Sequence, residues 1–224
     1  MFEIRRDTGR VLLNLSCDTL VAVNLQGACL PEACLNKADL TSANLNSANL
    51  TRAHLRGAQL ECVQSVYTIL NGADLSSASL READVSHAEM AGANLRGARA
   101  EGANFAHTNL TGADLSGLRG HGASFETTNL HQAKLQRASL VGANLACADL
   151  KDACLVLADL RSADLSYAIL AGADLSGANL KGAILESALY DRETIWPEGF
   201  EPEQAGAMSV GKPVRPWWKF WSAN

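Results

Sequence analysis

The sequence predicts an all-β solenoid, a chain that turns a corner every five residues and stacks its short sides. Three observations predict it. From Leu15 to Tyr190, 28 of the 36 residues with numbers divisible by five are Leu. Two positions earlier, from Ala28 to Ala188, 28 of 33 residues are Ala. No insertion breaks either phase. An α-helix repeats about every 3.6 residues and a strand every two. At a period of five, Leu40, Leu45 and Leu50 would spiral around a helix and alternate faces on a strand. A chain that bends between them sends one large residue inward from each side.

The exceptions stay in the same frame. Val85, Met90, Phe105, Phe125 and Tyr190 are large, and Ser65, Ala100 and Gly120 are small. Asp and Asn recur at the residue before each Leu, where a short hydrogen-bonding side chain serves the turns between sides. "ADLTSANLNSANL" (38–50) and "ADLSGANLKGA" (173–183) carry this A-[DN]-L-x-x pattern, and it resembles the pentapeptide-repeat family over about four-fifths of the chain.

The resemblance implies a right-handed quadrilateral β-helix with four pentapeptides per coil, hence about nine coils. It also implies that many members are not enzymes. Some resemble DNA in shape and protect bacterial DNA gyrase from quinolones, others are regulators, and others have no assigned role. With one strand spacing of about 4.8 Å per coil, the body would be roughly 43 Å long.

Residues 1–14 precede the repeat. "FEIRRDTGRVLLNL" alternates around a D-T-G turn and reads as a β-hairpin. An open solenoid end invites strand pairing, so the hairpin is expected to cap it, with Arg5, Arg6 and Arg10 discouraging a second chain. Residues 15–190 form the β-helix. Residues 191–224 form a C-terminal extension, in which Trp196 and Phe200 are expected to cover the last coil. Its end, "PWWKFW", places Trp217, Trp218, Phe220 and Trp221 within five residues. Such a cluster is seldom left in water. The expectation is docking on the chain's own end or on a second copy, as a homodimer through the C-terminal end. A membrane interface is the other destination.

Stepping by 20 residues separates four sides, named here A to D by their centres. Side A is centred on 25, 45 and so on to 185. It carries Asp84, Glu126, Asp164 and Glu186 with no Lys or Arg, a net charge of −4. The opposite side C, centred from 15 to 175, is +2, side D on the multiples of 20 is −1, and side B, from 30 to 190, is −2. The candidate protein-binding residues are therefore Asp84, Glu126, Asp164 and Glu186, with Trp217, Trp218 and Trp221 in the tail. Side A also stacks His87 over His107, with Tyr67 and Cys147 in line. These read as exposed surface residues. Ala100 and Gly120 stack on side D. Leu118 partly refills the second, and nothing in the sequence is seen to compensate the first, so a shallow core defect is expected.

No catalytic, cofactor-binding or metal-ligating set is predicted. G-x-S-x-G, P-loop, G-x-G-x-x-G and H-E-x-x-H patterns are absent. The six cysteines form no C-x-x-C pair and read as small filler. No run of 18 apolar residues exists, and the N-terminus lacks a secretory signal pattern, so a cytoplasmic location is expected. The net charge of −5 argues against direct nucleic-acid binding. The reading is a non-enzymatic scaffold for an unidentified protein partner, regulatory in role. The alternative is a DNA-mimicking modulator of gyrase or topoisomerase.

Overall fold

A computed structural model describes residues 2–211. Its architecture follows from one local unit. In each pentapeptide the centre's carbonyl accepts the N–H three residues on, as from Ala28 to Leu25 at 3.0 Å and from Ala53 to Leu50 at 2.9 Å. From Ala22 to Ser187, every residue numbered with a final 2 or 7 has φ between +53° and +72°. A positive φ at the third residue of such a turn is the type II arrangement. The chain thus bends at every fifth residue. Asp and Asn oxygens brace the bend, Asp39 Oδ1 accepting Thr41 N–H at 3.1 Å and Asn49 Oδ1 accepting Thr51 N–H at 3.0 Å.

Four bends close a coil. Parallel bridges join residues 20 apart, from Asn24 with Asn44 to Ile169 with Leu189. Backbone hydrogen bonds run along the stack in both directions: Asn49 N–H to Ala28 at 2.9 Å, and Leu50 N–H to Ile69 at 2.7 Å. The Leu and Ala positions point inward and form one continuous core that reaches from Ile4 to Ala207. No α-helix occurs among the described residues.

At the N-terminal end, β1 (Phe2–Arg5) pairs antiparallel with β2 (Val11–Leu15), with a register shift between Ile4 and Arg5. The hairpin lies across the first rung of side C, where Arg6 bridges Ala33 antiparallel and Cys34 N–H donates to Arg5 at 2.7 Å. Here the structure departs from the sequence reading. Leu15 ends β2 and is only half-buried. Ile4, 1% exposed, fills the core instead.

At the other end, β3 (Leu189–Tyr190) pairs parallel with β4 (Met208–Ser209), which adds a rung to side B. Between them, Asp191 Oδ1 accepts Gly172 N–H at 2.9 Å and Thr194 N–H at 3.1 Å, and Ile195 bridges Asp174. Trp196 meets Tyr190 edge-on, with centroids 5.5 Å apart, and stacks on Phe200 at 5.3 Å. All three pack against the core.

At Gly120 the space on side D is occupied by Leu140 and by Leu118, the residue expected to refill it: a Cβ there would stand 3.0 and 3.4 Å from their Cδ2 atoms. Phe105 and Phe125, the next inward centres after Ala100 and Gly120, are both fully buried.

Candidate protein-interaction face

Side A differs from the other three in having carboxylates and no cation to neutralise them. On side D two carboxylates have arginine partners: Arg161 Nη2 lies 2.7 Å from Asp159, and Arg81 Nε lies 3.3 Å from Glu101, too poorly aligned for a hydrogen bond. On side C, Arg96 Nη1 lies 3.2 Å from Asp114. Asp114 is half-buried, and burial pushes its carboxyl up. The Ser116 hydroxyl and N–H, with Arg96, outweigh that and hold it below the ordinary value. Asp84, Glu126, Asp164 and Glu186 enter no ion pair among the described residues.

The structure gives the four acids different jobs. Asp84 Oδ1 accepts Ser86 N–H at 3.0 Å and Asn104 Nδ2 at 3.1 Å. Asp164 Oδ1 accepts Ser166 N–H at 2.9 Å and its hydroxyl at 2.6 Å. Both aspartates therefore brace turns with one oxygen. Glu126 is exposed, with Oε2 3.4 Å from Asn144 Nδ2. Glu186 is exposed too, although Gly206 passes over its backbone so closely that a Cβ there would stand 3.3 Å from its Cα. The acids do not converge. Asp84 and Asp164 share one column, four rungs apart, which is about 19 Å.

What gives this side a focus is its corner column. Tyr67, His87 and His107 occupy successive left-handed corner positions, with φ of 57°, 57° and 59°. A left-handed corner throws the side chain outward, and the coil spacing of about 4.8 Å falls within the centroid separations of offset-stacked rings. Tyr67 stacks on His87 at 4.9 Å between centroids, and His87 on His107 at 4.7 Å. Thr127 Oγ1 continues the column, 2.6 Å from His107 Nδ1. Tyr67 is 62% exposed. The sequence frame placed these residues in line, but ring stacking was not legible from it. Among the described residues no group of three or more His, Cys, Asp or Glu is placed to hold a metal, and no helix is long and apolar enough to cross a membrane. Trp217, Trp218 and Trp221 lie outside the described residues.

The twenty-residue ladder, its type II corners and its Ala/Leu core define a four-sided repeat solenoid. A family model described as pentapeptide repeats matches eight copies, over residues 20–63, 67–97, 88–119, 123–161 and 158–188. The chain belongs to the pentapeptide-repeat family, and membership implies a right-handed quadrilateral β-helix. Among solved structures, HetL, a pentapeptide repeat protein involved in heterocyst differentiation regulation from the cyanobacterium Nostoc sp. strain PCC 7120, is similar at 29% identity. That match covers 75% of this chain and 86% of HetL, with a TM-score of 0.42. The pentapeptide repeat protein alr5209 from Nostoc PCC 7120 is 38% identical over 48% of this chain and 84% of its own, with a TM-score of 0.27. QnrB1, a plasmid-mediated fluoroquinolone resistance protein, is 18% identical over 85% of this chain and 92% of its own, with a TM-score of 0.42. No curated protein sequence matches the chain.

Proposed function

We propose that this chain is a non-enzymatic scaffold that binds a protein partner along side A, in the cytoplasm. The observation that carries the reading is the exposed ring column of Tyr67, His87 and His107 beside carboxylates that no cation neutralises. The stacked column turns ring edges outward and leaves an uncovered face on its end ring, Tyr67, so a basic partner can stack one guanidinium there and pair other cations with Asp84 and Glu126. Asp164 and Glu186 extend the same negative side toward the C-terminal end, where they steer approach more than they hold contact. The six cysteines are free thiols, four of them exposed, which fits a reducing compartment.

The test is co-purification of partners from the native cell with the intact protein and with two variants. Tyr67→Ser removes the first ring. Asp84→Asn removes charge but keeps the oxygen that braces the turn. The expected result is a partner retained by the intact protein and lost or weakened in both variants, the loss deepening with salt. A partner captured equally by all three would overturn side A as the binding face.

A further inference from the structure

A column of outward positions at the C-terminal end of side B is apolar. Ile169 bridges Leu189, and Leu189 pairs with Met208, so the three form one outward column on neighbouring rungs. Tyr167 flanks it at the corner, and Val210 follows on the last rung, its N–H donating to Tyr190 at 2.7 Å. Tyr167 is 59% exposed, Met208 50% and Val210 43%. Of the ten exposed large apolar side chains among the described residues, seven lie beyond residue 156, and four of those seven, Tyr167, Ile169, Met208 and Val210, lie on side B or its corner. Single exposed apolar residues are ordinary, but a contiguous set concentrated at one end marks a surface that something covers.

We infer that the patch of Tyr167, Ile169, Met208 and Val210 is the docking site for the chain's own last segment, residues 212–224. Chain continuity places the occupant. Val210 is part of the patch, and the segment begins two residues later. From Gly211, six extended residues reach at most about 20 Å, while the patch spans two rungs, about 10 Å. Composition fits as well. Trp217, Trp218, Phe220 and Trp221 supply apolar area, and aromatic side chains bury about 150–250 Å² each. Lys212, Arg215 and Lys219 supply positive charge. The rungs around the patch are nearly balanced, Asp149, Asp152 and Asp191 standing against Lys151 and Arg192, so the apolar match and chain continuity, more than charge, place the segment.

The test uses the full chain labelled with 5-fluorotryptophan and read by fluorine NMR, with mass measured by sedimentation. Trp196 packs in the core and reports on folding, so the three tail tryptophans are read against it. In the full chain the tail resonances are expected to be shifted from those of a synthetic peptide of residues 212–224. Ile169→Lys and, separately, Met208→Lys should move them to the peptide's positions, with the Trp196 resonance and the monomer mass unchanged. Tail resonances that match the peptide in the unsubstituted chain overturn the proposal. So do shifts that appear only with rising protein concentration, which assign the patch to a second copy, or only on adding anionic vesicles, which assign the tail to a membrane.

Discussion

Phe125 lies flat on Phe105, ring centroids 4.8 Å apart and planes 2° from parallel. That separation is one coil spacing, so both rings occupy the same place in successive coils. Each is preceded on side D by a small residue, Ala100 or Gly120. A Cβ at Gly120 would stand 3.0 Å from Leu140 Cδ2 and 3.4 Å from Leu118 Cδ2. The space that a Leu would use at Gly120 is already filled by neighbouring side chains. At Gly120, core volume is conserved per coil, not per position.

Gly120→Leu should therefore overpack the coil. The expected cost is about 1–3 kcal/mol, read as a lower melting midpoint, because a repeat array does not guarantee two-state unfolding. Adding Leu118→Ala and Phe125→Leu returns the coil to the common pattern and should recover most of the loss. If Gly120→Leu alone melts with the unsubstituted protein, conservation per coil is wrong.

A second expectation concerns the corners. Leu157 has φ of 58° and is half exposed. The left-handed region costs an L-residue roughly 1–2 kcal/mol, and Gly enters it freely. Gly also loses more entropy on folding, which takes back part of the gain. Leu157→Gly should raise the melting midpoint, by up to about 1 kcal/mol of stability. Leu157→Val should lower it, since a branched Cβ tolerates this conformation least. Thermal scans of the two variants should thus move in opposite directions.

Acid should loosen the C-terminal end first through Asp191. Its carboxylate accepts N–H groups from Gly172, Glu193 and Thr194 and the Thr194 hydroxyl. The Gly172 bond leads in holding this carboxyl below its ordinary value, against the opposing push of burial. A carboxyl depressed in the folded state stabilises it above the unfolded value. That contribution fades as pH falls through the folded one. The window lies below about pH 4. Asp191→Asn, which cannot ionise, should remove this part of the acid sensitivity and lower stability at neutral pH. Amide exchange of residues 189–195 against pH, compared between the two proteins, measures the difference. Equal acid responses would assign the loosening to other carboxylates, such as Asp159, which its hydrogen bond to Arg161 also depresses.

The period and the inward positions were legible because burial at every fifth residue leaves its mark directly in composition. What escaped depends on partners distant in sequence. A Leu that ends a hairpin looks like a Leu on a rung, so Leu15 gave no sign that Ile4 would take the core place. Thr68, Thr108 and Thr128 read as exceptions at Ala positions, yet each donates its hydroxyl to a carbonyl 23 residues earlier, at 2.8, 2.9 and 2.7 Å. That bond needs the register of adjacent coils, not the repeat alone. On side A the column of Tyr67, His87 and His107 was visible by counting. Its stacking depends on how left-handed corners aim their side chains. The acids carried a second role that the sequence could not separate, since Asp84 and Asp164 brace turns as any Asn in the repeat does.

That double role shapes the last prediction, on DNA mimicry. B-DNA carries one charge per about 1.7 Å, so a rod of roughly 43 Å would face about 25 phosphate charges. Between residues 15 and 190 this chain has 17 acids and 12 bases. Its most acidic side offers four acids, two of which spend one oxygen each on turns. Shape could still match a slender duplex, but charge density falls several-fold short. A protein that grips DNA through phosphates gains most of its affinity from neutralising them, and this surface offers little to neutralise. The pure protein is expected to leave gyrase supercoiling uninhibited at low-micromolar concentration and to give no protection from quinolones. The discriminating control is Asp84→Asn with Asp164→Asn, which removes charge while keeping the turn-bracing oxygens. If the protein does block supercoiling and the double variant does not, side A is a gyrase-binding face and the scaffold reading gives way. If both proteins are inert toward gyrase while the double variant loses a co-purifying basic partner, the acidic face belongs to that partner.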